Sequence, residues 1–94
     1  MWGFFVKKMS HFVYIIYSSK VDVYYKGESL NPYDRLIAHN SNLSPYTSGK
    51  GPWKLVYIEE LDNKTEALKR EKMLKRQNRK YIEWVLKQSI NKLL

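Results

Sequence analysis

The chain contains no cysteine. That absence excludes disulfides, thiolate chemistry and zinc–thiolate centres, and it makes a reducing cytoplasm the natural setting. Long hydrophobic runs are missing too. The apolar stretch Met1–Val6 is followed by Lys7-Lys8, so it is too short for a membrane span or a signal core, and its basic pair lies on the wrong side for a signal. Internal repeats, low-complexity tracts and linker-like segments are likewise lacking. Residues 1–10 are expected to be an N-terminal extension, with Met9-Ser10 resembling a second start, and residues 11–94 a single domain.

Acidic side chains are scarce where basic ones are dense. Residues 64–94 hold ten Lys/Arg against Glu66, Glu71 and Glu83, which accounts for +7 of the chain's net +8. A concentrated basic segment draws polyanions by Coulomb steering and counterion release. Charge alone fits a merely solvated helix face equally well. The basic helices lack a wide Trp/Phe/Leu face, so no membrane partner is expected. Of 94 residues, 44% are hydrophobic, fourteen aromatics among them, enough for one modest core.

His11–Tyr17 is β-branched and aromatic, a strand signal, and Asp22–Gly27 reads as the returning strand of a hairpin. Asn31-Pro32 supplies an N-cap and a first-turn proline for a helix reaching about Asn40, with Leu36 and Ile37 facing inward. Residues 40–52 are a loop by composition. Trp53–Glu60 alternates as a third strand, with Trp53, Leu55 and Tyr57 on one face and Val56 and Ile58 on the other. Helices are expected over 65–76 and 79–93, the second burying Ile82, Val85, Leu86, Ile90 and Leu93. The order β-β-α-β-α-α predicts an α+β fold: a small, mostly antiparallel three-stranded sheet flanked by helices.

Four features bear on chemistry. Tyr14 and Tyr25 stand eleven residues apart, a spacing at which a hairpin carries both to one end of the sheet, although cross-strand tyrosine packing is common in itself. Arg35 and His39 are four residues apart on one helix face. Arginine suits phosphate because its fork donates two hydrogen bonds and keeps its charge; histidine can hold a proton near neutral pH. Glu71 interrupts an inward stripe of Ala67, Leu68 and Leu74. There it serves either as a salt-bridge partner of Arg35 or as a ligand for a hard cation such as Mg²⁺. Gly27 permits a turn or a close approach next to Tyr25-Lys26.

Together FVYIIYS, DVYYKGES, NPYDRLIAHN, SGKGPWKLVYIEE and TEALKREKMLKR resemble the short, single-domain branch of the GIY-YIG endonuclease superfamily. Related nuclease domains are carried by an excinuclease and by several homing and restriction endonucleases. The resemblance covers roughly residues 11–84. The first motif corresponds to Phe12-Val13-Tyr14 and the second to Tyr25-Lys26-Gly27, with lysine replacing the usual isoleucine. Glu28 and Ser29 also depart from the pattern, the added carboxylate standing to disturb phosphate binding or to join the metal's surroundings. The resemblance implies catalytic roles for Tyr14, Tyr25, Arg35, His39 and Glu71, with Glu71 holding one Mg²⁺ or Mn²⁺, and it matches Asn78 to a polar residue downstream.

The expected activity is metal-dependent hydrolysis of the phosphodiester backbone of DNA or another nucleic acid by a monomer. In it the cation and Arg35 offset phosphate charge, and Tyr14 serves as base while Tyr25 and His39 orient water and phosphate. Tyrosine's unperturbed pKa of about 10 makes it dependent on those cations. Lys50, Lys69, Arg70, Lys72, Lys75, Arg76 and Lys80 are candidate backbone contacts, with Tyr46 beside Lys50 in the loop. The alternatives are a catalytically weak or inactive nucleic-acid binder of the same fold and a structural or protein-interaction domain, since fold resemblance does not establish activity.

Overall fold

The computed structural model describes residues 9–94; most of the extension expected over 1–10 lies outside them. The elements follow in the order β1 (His11–Ser18), β2 (Val23–Ser29), α1 (Pro32–Asn40), β3 (Lys54–Leu61), α2 (Lys64–Lys75) and α3 (Arg79–Val85). The sheet is antiparallel with order β2-β1-β3, the α+β arrangement expected from the pattern of elements.

β1 is the middle strand, and its run Val13-Tyr14-Ile15-Ile16 is buried throughout. A strand reads as continuously apolar when both of its faces are covered. Val13 and Ile15 face a core made with Tyr57, Ala67, Leu74, Ile82 and Val85. Tyr14 and Ile16 face a second cluster, with Trp53, Leu36, Leu55, Val23 and Tyr25. Each of the aliphatic side chains contributes on the order of 1.5–3 kcal/mol by leaving water. Helix starts are set by asparagines: Asn31 accepts from the amides of Tyr33 and Asp34, Asn63 from that of Glu66, and Asn78 from that of Tyr81. Asn78 is therefore a helix cap.

The third strand does not keep a simple alternation. Ile15 pairs with Tyr57 but Ile16 pairs with Leu55, so Val56 is the extra residue of a β-bulge. The bulge puts Trp53 and Leu55 on the Tyr14 face and sends Tyr57, together with Val56, to the α2–α3 core. The expected common face for Trp53, Leu55 and Tyr57 is thus split. Two inward assignments also change, because Ile37 on α1 and Leu68 on α2 are exposed. α1 instead buries Pro32 and His39.

Tyr57 and Glu59, two residues apart beyond the bulge, meet α2 through a buried polar contact. The Tyr57 hydroxyl donates to the Glu59 carboxylate, and Arg70 Nε donates to the same oxygen at 2.8 Å. Burial, then the bond to Glu59, pushes the Tyr57 phenol up to about 12. Arg70 is thereby turned toward β3 and away from solvent-facing work.

The last helix is shorter than its periodicity predicts. α3 stops at Val85, and Ile90 and Leu93 are exposed. The cause lies in Asn91, which is buried against β3. Its Oδ1 accepts from the Ile58 amide at 3.1 Å, while Nδ2 donates to the carbonyls of Val56 and Leu86, both at 3.0 Å. Lys92 N adds a 2.8 Å bond to the Ile58 carbonyl. Continuing the helix would orphan those strand groups. Asn91→Ala is expected to cost about 3 kcal/mol, the scale for several buried bonds lost with one partner left unmade, measured as a lowered urea midpoint at unchanged slope.

Candidate active site

Tyr14 and Tyr25 lie on the same face of neighbouring strands, offset by two positions, because Tyr14 pairs with Gly27 and Ile16 with Tyr25. Gly27 has an ordinary negative φ, so what it provides is a close approach. A Cβ built there would lie 2.5 Å from Tyr14 Cζ and closer still to its hydroxyl oxygen. The phenol ring therefore runs directly over the Gly27 backbone, and any side chain at 27 would displace it.

The Tyr14 hydroxyl meets His39 Nε2 at 2.8 Å, and His39 Nδ1 meets Thr47 Oγ1 at 2.7 Å. All three residues are buried. The Thr47 hydroxyl donates onward to the Ser44 carbonyl at 3.4 Å, which leaves its oxygen to accept from Nδ1–H. That assignment puts the lone pair of His39 on Nε2, facing the Tyr14 O–H. Burial, and next the charge of Arg35, hold the His39 pKa below its usual 6.5, so the imidazole is neutral at ordinary pH. Burial also raises the Tyr14 phenol above 10, while Arg35 opposes that rise by hydrogen bonding and by its charge. The charges of Tyr25 and Glu71 raise it further. Arg35 and Glu71 thus both act on this one phenol.

Tyr25 packs edge-on to His39 with ring centroids 5.0 Å apart and lies 5.5 Å from the ring of Tyr46. Lys50 Nζ stands 4.1 Å above Tyr46, placing both loop residues on this side. The loop is pinned by Asn40, whose side chain bonds both the amide and the carbonyl of Trp53, and by the Trp53 indole, which donates to the Thr47 carbonyl at 3.2 Å.

Glu71 is mostly buried, and the cation beside it is Lys75 at 3.6 Å; this is the ion pair made in place of the bridge to Arg35 considered above. Among the described residues no three His, Asp or Glu side chains cluster as a metal cage. A lone, half-enclosed carboxylate suits a hard cation that keeps most of its waters and takes further oxygens from a phosphate. Glu28 does not join it. Its carboxylate pairs with His11 at 3.0 Å, while Ser29 Oγ accepts from the Asn31 amide at the start of α1.

The candidate backbone contacts divide. Lys75 lines a cleft of about 450 Å³ with Tyr24, Tyr25, Lys26 and Tyr46. Arg70 is committed to Glu59, and Lys69 pairs with Glu66 at 3.6 Å. Lys72, Arg76 and Lys80 are exposed and are not among the residues lining the cleft. Sequence reasoning overlooked Thr47 and Lys26. A buried loop threonine has no periodicity to betray it, whereas the lysine inside the second motif was a visible departure.

Known proteins resemble this chain in sequence and fold. A UPF0213 protein of Clostridium perfringens is 41% identical over 70 residues, covering 73% of this chain and 74% of its own. A UPF0213 protein of Halobacterium salinarum is 36% identical over 70 residues, covering 73% and 90%. The solution structure of the UPF0213 protein from Bacillus halodurans superposes with a TM-score of 0.56 at 28% identity over 90% of both chains. No helix among the described residues is long and apolar enough to cross a membrane. Residues 10–87 match the GIY-YIG catalytic domain, so the chain belongs to the GIY-YIG family, a superfamily of nucleases.

Proposed function

We propose that the protein is an endonuclease hydrolysing phosphodiester bonds of nucleic acid, DNA first among them, with one Mg²⁺ or Mn²⁺ at Glu71. The observation that carries this reading is the buried chain Tyr14–His39–Thr47, with Arg35 and Glu71 acting on its phenol. A structural tyrosine needs one hydrogen-bond partner; this one has a neutral acceptor and also feels the charges of a guanidinium and a carboxylate. Glu71 would hold the cation, which would supply Lewis-acid stabilisation of phosphate charge.

The remaining roles fall to the chain's own groups. Water attacks phosphorus, a new P–O bond forms, and the P–O bond to the leaving strand end breaks. Tyr14 takes the water's proton as its own passes to His39 Nε2. Phenolate therefore need not accumulate, which matters because burial disfavours it. Arg35 offsets charge gathering on the phosphoryl oxygens. Tyr25, held edge-on against His39, orients water and phosphate.

Cleavage of end-labelled single-stranded, duplex and branched DNA and of RNA, with Mg²⁺, Mn²⁺ or EDTA, tests the reading. Metal-dependent cutting should fall at least a hundredfold in Glu71→Gln and in Tyr14→Phe, the usual scale for lost acid–base or electrostatic groups, while binding persists. Tight binding by the wild type without cutting of any substrate would replace the enzyme with an inactive binder.

His39 must be neutral to accept a proton, so activity is present above its folded pKa and lost as pH falls through it. Because that pKa is depressed, the acid limb of kcat/KM should lie below pH 6.5. An acid limb above that value contradicts the role. Thr47→Val removes the acceptor for Nδ1–H and should shift the His39 tautomer, seen in imidazole nitrogen NMR, with kcat falling about tenfold. Thr47→Ser should restore both.

A further inference from the structure

Lys26 occupies an unusual position for a lysine. It lies on β2 opposite Ile15, is half-buried, and has no hydrogen bond or ion pair among the described residues. The charge that bears on it is another cation, Lys75 at the end of α2. Burial and then Lys75 both hold its pKa below the ordinary lysine value. Removing an ammonium from water without a partner is costly, and facing it with a like charge adds to the cost. The fold therefore keeps two ammonium groups on one cleft, and of the two only Lys75 has a carboxylate beside it, Glu71.

The cleft has the dimensions and the lining for an anion that carries an organic part. It encloses about 450 Å³, and the rings of Tyr24, Tyr25 and Tyr46 complete its walls. The Lys75 partner, Glu71, is 3.6 Å away on the same helix, and the lysine itself is exposed. At 3.6 Å, with the ammonium in water, such a pairing is weak, so the lysine is available to a stronger anion. Tyr25 belongs to this cleft and to the site around His39 at once, so an anion bound here lies beside the reacting centre.

We infer that Lys26 and Lys75 form a phosphate subsite, taking a backbone phosphate of the bound strand next to the one that is cleaved. The identity of the strand rests on the nuclease reading; the anion site itself does not. Lysine, as a compact point charge, holds such a phosphate without demanding one orientation. Lys26 stands where the second GIY-YIG motif usually has isoleucine, so the subsite departs from that motif.

The test uses the full chain without divalent cation. Lysine side-chain NMR resonances are followed on addition of inorganic phosphate and of a thymidine dinucleotide with one internal phosphodiester and one 5′-phosphate. Lys26 and Lys75 should shift saturably with both, at lower concentration with the dinucleotide, and Lys26→Gln should abolish the response while Lys26→Arg keeps it. Oligonucleotide affinity of Lys26→Gln should drop about tenfold at low salt, with the salt slope shallower by about 0.7–0.9. Equal shifts at exposed Lys69, Lys72 and Lys87, or wild-type affinity in Lys26→Gln, would overturn the subsite. So would a dinucleotide no tighter than inorganic phosphate. A nuclease that cuts yet shows no preference for the cleft sinks the subsite alone. Phosphate seated between the two lysines of a protein that never cuts leaves the subsite standing and sinks the nuclease.

Discussion

A phenol placed in the middle of a strand covered on both faces must find its hydrogen bonds inside the protein, and at Tyr14 that requirement organises the site. The ring is given room by the bare backbone of Gly27 on one neighbour. Its hydroxyl is satisfied by His39 from α1, which must itself be satisfied by Thr47 from the loop that follows. Each link is buried, so each would be costly to leave unmade. Strand pair, helix and loop are tied to one another through a single line of hydrogen bonds. The rigidity that folding demands here is also the preorganisation that the proposed proton transfer needs.

Glu71 is fixed by a different route. α2 is oriented by Ala67 and Leu74 in the core and by Arg70 on the buried carboxylate of Glu59. Adjacent helix residues point about a quarter-turn apart, so holding Arg70 against β3 also sets the azimuth of Glu71. Glu59 reaches α2 because the bulge at Val56 turns Tyr57 and Glu59 to that side. A local irregularity in β3 thus helps to aim a carboxylate on another element, a common use of bulges near sites.

Much of this was legible in the chain. Strand type, helix starts and the shared face of Tyr14 and Tyr25 follow from short-range pattern, because propensity, capping and spacing act locally. What escaped depends on distant partners. Alternation in Trp53–Glu60 gives no sign of a bulge, since the bulge is defined by pairing with β1. Periodicity carries α3 on to Leu93, since nothing local reveals that Asn91 answers to the edge of β3. Arg70 reads as one more surface cation until Glu59 is seen opposite it. Thr47 reads as loop filler until His39 is seen to need an acceptor. Ile37 and Leu68 show the converse, apolar residues at helical spacing that the packing leaves in water.

The segment after α3 has a wider consequence. By bonding Val56 and Ile58 it occupies part of the outer edge of β3, leaving β2 as the free margin of the sheet among the described residues. An uncovered strand is a template on which a second copy could build, and proteins guard such margins with charge. Here the guards include Lys26 and Glu28, flanking Gly27 in the strand that serves the site. Charged side chains on this margin discourage a second sheet from pairing there. Lys26 also lines the cleft, so a change made there to protect the sheet's edge alters the cleft as well.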